Sequence, residues 1–146
     1  MPVELGPPLQ AADSFRISAG DQTLAGLAFV RVNDDAFDLQ AVTPTGVALF
    51  AVHGGDDGVG VTAPDDGMAK ALGLIPFERD LWLLYRWRCA DRCRADGGTL
   101  TVDGEHVSWR GRGGPAEVVL GADRATLTDP RRGYELLVVR TRSTGP

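Results

Sequence analysis

Leu74-Ile75-Pro76-Phe77-Glu78-Arg79-Asp80-Leu81-Trp82-Leu83-Leu84-Tyr85-Arg86-Trp87-Arg88-Cys89-Ala90-Asp91-Arg92-Cys93 breaks the alternation that runs through the rest of the chain. Phe77, Leu81, Leu84, Tyr85 and Arg88 recur at the spacing of one helix face. Pro76 suits a first helical position, where the missing N–H has no partner to lose. Glu78 and Asp80 stand early and Arg86, Arg88 and Arg92 late, which complements a helix dipole. The spacing therefore predicts a helix over 76–88. Leu81 to Tyr85 is apolar all the way round, so that helix should be covered on more than one side.

Outward from this stretch the chain reads as strands. On the N-terminal side, residues 13–19, 23–33, 36–42, 47–53 and 59–62 alternate or are apolar on both faces. Gly20-Asp21-Gln22, Asn33-Asp34-Asp35, Pro44-Thr45-Gly46 and Gly54-Gly55-Asp56-Asp57-Gly58 turn the chain between them. Asp65 or Asp66 caps a short helix, Met68 to Leu72, which Gly73 ends. After the main helix, strands are predicted at 99–102, 106–110, 117–120, 125–127 and 134–141, with Asp103-Gly104 as a two-residue hairpin turn. Short turns make neighbours antiparallel. The expected fold is mainly β with α: a single strongly curved antiparallel sheet, an open half-barrel of about ten strands, with one or two helices on its concave side. Residues 1–12, rich in proline, read as a flexible arm, and 13–146 as the one domain.

Composition narrows the function. A 146-residue chain with 43% hydrophobic residues can bury a core without metal or disulfide staples. No apolar run is long enough for a membrane helix. The formal net charge is −5 and Lys70 is the sole lysine. Basic residues outnumber acids locally between Arg79 and Arg94, which reads as a solvated helix face, so nucleic acid is not an expected partner. Met1 to Pro8 has neither the basic start nor the apolar core of a signal peptide.

The constellations that carry chemistry are sparse. His53 and His106 are the two histidines, and none of the serines sits in a nucleophile elbow. His106-Val107-Ser108 follows a hairpin turn, where polar residues belong in any case. Cys89-x-x-x-Cys93 is open to a disulfide if the helix unwinds near Ala90, to two buried thiols, or to zinc; the disulfide ranks first, because no histidine stands at zinc-motif spacing. The acid pairs at 34–35, 56–57 and 65–66 belong to turns and lack the oxygen series of a calcium loop. No catalytic residue, metal or cofactor is expected. The aromatic set is richer. Trp82, Tyr85 and Trp87 lie on the helix and Phe29, Phe37, Phe50 and Trp109 on strands, which suits either a dry core or a lipid-sized cavity.

Three stretches carry a family resemblance: residues 39–50 (Leu39-Gln40-Ala41-Val42-Thr43-Pro44-Thr45-Gly46-Val47-Ala48-Leu49-Phe50), a strand, a Pro-x-Gly turn and a strand; residues 73–85, the Pro-led helix; and residues 127–139, a closing strand with a Gly133-Tyr134 start. In this order the chain resembles the bacterial outer-membrane lipoprotein-localisation (LolA/LolB-like) fold, nearest to its outer-membrane acceptor branch and short lipoprotein relatives. The resemblance implies a non-enzymatic protein that holds acyl chains between sheet and helix, in lipoprotein or lipid transport to the outer membrane. It implies lipid acyl chains or a lipoprotein as cargo and a periplasmic carrier protein as partner. It also implies a periplasm-facing location, with peripheral membrane contact through an N-terminal lipid anchor; a cytoplasmic location is the alternative. A lipidated cysteine and signal peptide ahead of the given sequence, with the Pro-rich arm as tether, would complete that picture.

The acceptor branch exposes a bulky leucine at the Pro-x-Gly turn, where this chain has Thr45, the candidate for a membrane-facing loop. A threonine gains far less from apolar surroundings than a leucine, worth roughly 1.5–3 kcal/mol. The expected cavity residues are Val30, Phe37, Leu39 and Leu49 from strands and Leu81, Leu84 and Tyr85 from the helix, which should part from the sheet to admit cargo. The competing expectation is a structural outer-membrane lipoprotein with a filled core, acting as a protein-interaction module.

Overall fold

The computed structural model describes residues 4–5, 9–33, 36–55, 58–85, 87–88, 92–95 and 97–144. Its elements run β1 (Glu4–Leu5), β2 (Leu9–Ala19), β3 (Gln22–Val32), β4 (Phe37–Val42), β5 (Ala48–Gly55), β6 (Gly58–Thr62), α1 (Asp66–Leu72), α2 (Phe77–Tyr85), β7 (Trp87–Arg88), β8 (Arg92–Ala95), β9 (Gly98–Asp103), β10 (His106–Gly111), β11 (Ala116–Leu120), β12 (Arg124–Asp129) and β13 (Tyr134–Thr144). Eleven strands form one open antiparallel sheet in the order β6-β5-β4-β3-β2-β13-β12-β11-β10-β9-β8. The first and last long strands, β2 and β13, meet in its middle. All other neighbours in this sheet are consecutive in sequence, which is what short turns produce.

Period-two patterning decides which face is inside. Phe15 and Ile17, Ala28, Val30 and Val32, Leu39 and Ala41, Phe50 and Val52, Val107 and Trp109, Ala125 and Leu127, and Leu136 and Val138 are buried on alternate positions of their strands. Helix α2 lies on that inner face and touches strands far apart in the sheet. Its Phe77 ring sits 6.1 Å from Phe50 on β5, and its Trp82 ring 5.3 Å from Trp109 on β10. One helix can reach both only if the sheet curves around it, so α2 occupies the concave side as expected. Phe77, Leu81 and Leu83 are all buried; each contributes about 1.5–3 kcal/mol of apolar burial. Glycines allow two close approaches on the β3–β5 side. A Cβ at Gly54 would lie 2.2 Å from the Phe37 ring, and one at Gly26 would meet Val42 O at 2.3 Å and Leu49 at 3.1 Å.

The structure corrects three boundaries. Strand β2 begins at Leu9 rather than Asp13, because β3 and β13 both supply ladder partners to Gln10, Ala11 and Ala12. The main helix ends at Tyr85 rather than at 88: Trp87 and Arg88 pair with Leu5 and Glu4. The Trp87 indole N–H donates to the Leu83 carbonyl. Beyond the expected helix, residues 92–95, for which no strand was expected, form an edge strand, β8, with Cys93 inward and Arg92 and Arg94 outward. That strand raises the sheet from about ten strands to eleven.

Candidate functional site

The space between α2 and the sheet is built from the residues the sequence singles out. Val30, Leu39 and Leu81 are buried members of one continuous core cluster, and Phe37, Leu49, Leu84 and Tyr85 pack against it half-buried. Two carboxylates in the inward phase of their strands interrupt this apolar interior, and each is met from α2. Near the start of α2, Arg79 donates through Nε to Asp80 at 2.8 Å and through Nη2 to Asp129 at 2.8 Å and to the Tyr134 hydroxyl at 3.0 Å. Its Nη1 donates to the carbonyls of Gly113 (3.0 Å), Gly114 (3.1 Å) and Pro115 (3.3 Å). Tyr134 in turn donates its O–H to Asp80. Asp129 also accepts from the Arg132 backbone at 2.7 Å and the Arg132 side chain at 3.0 Å. At the end of α2, the Tyr85 hydroxyl donates to Asp13 at 2.6 Å, and Arg140 donates to the other oxygen of Asp13 at 2.8 Å.

The electrostatics follow from burial. Burial pushes the Asp80 carboxyl above its ordinary value despite Arg79 and Tyr134. Burial acts the same way on Asp129, but there the Arg132 N–H, Arg79 and the Arg132 side chain win, and the carboxyl is held low. Burial also lowers the hold of Arg79 on its proton, yet Asp80 and its other partners raise it overall. The Tyr134 and Tyr85 hydroxyls are pushed up, by burial first and then by Asp80 and Asp13 respectively. All these groups are satisfied: among the described residues no buried side-chain N or O lacks a partner. This is a structural lock between α2 and the strands β2, β12 and β13. Every buried donor and acceptor in it has a partner, which holds α2 in one position.

The expected parting of α2 from the sheet meets these two ties. Helix α1 is held differently. It lies against β6, and Met68 and Ile75 pack half-buried with Phe37, Leu49, Val61 and Ala63 against the core. Among the described residues no side-chain hydrogen bond or ion pair joins α1 to a strand. Asp65 caps its own helix by accepting from Met68 N at 2.7 Å, and Leu74 after it is 75% exposed. The polar ties thus sit under the middle of the sheet, and among the described residues the β3–β6 side is closed by apolar contact.

Other singled-out residues fall elsewhere. Thr45 is exposed in the β4–β5 turn, 3.0 Å from the Thr43 hydroxyl; the exposed apolar residue of that turn is Val47, at 61%. Among the described residues His106 and Ser108 do not bond each other. Both bond one oxygen of Glu117, at 2.8 and 2.6 Å, on the outer face of β10 and β11. His53 pairs with Asp38 at 2.5 Å on the same outer face. An open hollow of about 570 Å³ on that face, over β2–β4, is lined chiefly by Gln10, Phe29, Arg31, Asp38 and Gln40. Cys93 is buried and disulfide-bonded, which removes zinc and free thiols as states of that residue; Cys89 lies outside the described residues. Among the described residues no three His, Cys, Asp or Glu side chains stand together in a way that could hold a metal ion. No described helix is long and apolar enough to cross a membrane.

Sequence reasoning missed both polar ties, although each left a signal. Asp13 shares its phase with Ala11, Phe15 and Ile17, and Asp129 with Ala125 and Leu127. A carboxylate in an inward phase demands a buried donor. Compared with protein-family models and with curated proteins, the chain matches none.

Proposed function

We propose that the protein is a non-enzymatic lipid-binding protein that holds an acyl chain between the curved sheet and its helices. One observation carries the reading: the β3–β6 side of the interior is closed by the half-buried apolar set Phe37, Leu49, Val61, Met68 and Ile75, with no side-chain hydrogen bond or ion pair between α1 and the strands among the described residues. An acyl chain that enters there replaces apolar contacts with apolar contacts. Each buried methylene returns about 0.8 kcal/mol. Movement of α1 is the inexpensive route, since α2 stays locked to β12 and β13 by the bonds of Arg79 to Asp129 and Tyr134. Transport of lipid or lipoprotein toward an outer membrane is the process that the resemblance of residues 39–50, 73–85 and 127–139 suggests for such a carrier.

The competing reading is a structural protein-interaction module with a filled core. The fully paired network at Arg79 favours it, because such networks specify one rigid interior. Titration with a fluorescent fatty acid separates the two. The carrier reading expects saturable micromolar binding by the native protein. It expects at least a tenfold loss in Met68→Asp, which sets a charge at the half-buried mouth where the fold tolerates it. Absence of saturable binding by folded native protein, or unchanged binding in Met68→Asp, leaves the structural reading standing.

A further inference from the structure

The outer face of the β8–β10 corner carries four arginines that the acyl-chain reading leaves unused. Antiparallel register sets Arg94 opposite Thr99, and Thr99 opposite Arg110, in one row across three strands. Arg92 stands in the next row beside Thr101. Arg112 continues the face at the β10–β11 turn, with its Cβ 3.1 Å from the position a Cβ on Gly97 would take and its N–H bonded to the Gly97 carbonyl at 2.8 Å. Strands about 4.8 Å apart and residues about 3.4 Å apart along them put Arg94 roughly 10 Å from Arg110 and roughly 7 Å from Arg92. All four are exposed. Arg110 pairs with Glu117 at 3.2 Å, and among the described residues Arg92, Arg94 and Arg112 make no ion pair. Such a cationic corner runs against a chain whose net charge is −5.

Charged side chains on an edge strand keep other strands from pairing with it, and that accounts for Arg92 and Arg94. It does not account for Arg110 and Arg112, which belong to an inner strand and its turn yet complete the same face. We infer that this corner is a docking surface for an anionic phospholipid membrane. Charge complementarity with lipid phosphates is the argument, and the shape of the patch chooses the partner. The patch is compact, with threonines between the guanidiniums, and Trp109 of β10 is turned inward, away from it. It is a patch rather than the extended stripe that tracks a nucleic-acid backbone. Exposed acids stand on both sides of the sheet, Asp38, Asp65 and Asp66 toward β6 and Asp103 and Glu105 at the β9–β10 turn, so the cationic face is confined to the end of β8–β10 nearest Gly97.

The inference deepens the acyl-chain reading by naming the surface the carrier approaches, and the two fail separately. Full-length protein is sedimented with phosphatidylcholine vesicles with and without phosphatidylglycerol, at low and high salt. The expected result is binding to the anionic vesicles alone, weakened by salt. The double variant Arg92→Gln/Arg94→Gln should bind about 25-fold more weakly, at about fivefold per cation. The control Arg16→Gln/Arg31→Gln removes the same charge from β2 and β3 and should change binding less than about threefold, since it lies outside the patch. Four results would overturn the inference: no binding, equal binding to neutral vesicles, equal losses in both double variants, or displacement of bound protein by a single-stranded oligonucleotide. Protein that binds fatty acid but no vesicle overturns this inference only; protein that binds anionic vesicles but no fatty acid overturns the carrier reading only.

Discussion

Replacing Arg79 by methionine tests how α2 is held. The substitution keeps the bulk of the side chain and removes every donor. Asp80, 0% exposed, keeps only the Tyr134 hydroxyl, whereas Asp129 keeps Arg132. The carbonyls of Gly113, Gly114 and Pro115 also lose a donor. Breaking a buried ion pair by removing one partner costs about 3–5 kcal/mol. That is a large share of the ~5–15 kcal/mol typical of a domain. At this chain length it corresponds to a fall in Tm of roughly 10–20 °C. The sign of the pH dependence is fixed by Asp80. Its carboxyl already lies above 3.8 in the folded protein and must rise further without Arg79. The folded variant then binds more protons than the unfolded chain between that value and the raised one. Its stability should therefore recover as pH falls from 7, and by more than that of the wild type, whose Asp80 is raised less. Urea unfolding at several pH values reads both effects, and adding Asp80→Asn to Arg79→Met should restore much of the loss at pH 7. A loss below about 1 kcal/mol at pH 7, or a deficit that does not shrink with acid, would refute the account of α2 as a polar-locked helix.

Other outcomes follow from single contacts. Leu83→Ala should cost about 2–5 kcal/mol because Leu83 is 1% exposed, and the half-buried Leu84→Ala should cost clearly less in the same urea titrations. Glu117 is held below 4.5 by Ser108 and His106, which outweigh its burial, so its stabilising share is present above pH 4.5 and lost as pH falls through the lowered value. Glu117→Gln should flatten that acid limb and cost no more than about 1 kcal/mol at pH 7, as expected of an exposed cluster. Thiol titration of unfolded, unreduced protein should find no reactive Cys93, and reduction should expose it.

The sequence made the architecture readable where local physics decides it. Alternation at Phe37, Leu39 and Ala41 and the Pro76-led helix stand as expected, and the hairpin expected at Asp103-Gly104 is present with its two-residue loop one place on, at Gly104-Glu105. The helix C-terminus was not readable, because Arg86, Arg88 and Arg92 suit a last helical turn as well as they suit alternating strands. Only the β9 edge, offering partners to Arg92 through Ala95, resolves that choice. The cavity set was legible as apolar, and Val30, Leu39 and Leu81 do share one core. What holds the helix over it was not legible, since Asp13 and Asp129 find Tyr85, Arg140 and Arg79 across long sequence separations. Periodicity reports that a residue faces inward and is silent on what it meets there.

The acyl-chain reading stands or falls most directly on native mass spectrometry of the folded protein with a small excess of oleate. The account predicts a one-to-one adduct that is retained at micromolar protein and absent in Met68→Asp. Native protein that stays at its bare mass with oleate in excess, while its urea unfolding curve shows it fully folded, would contradict it.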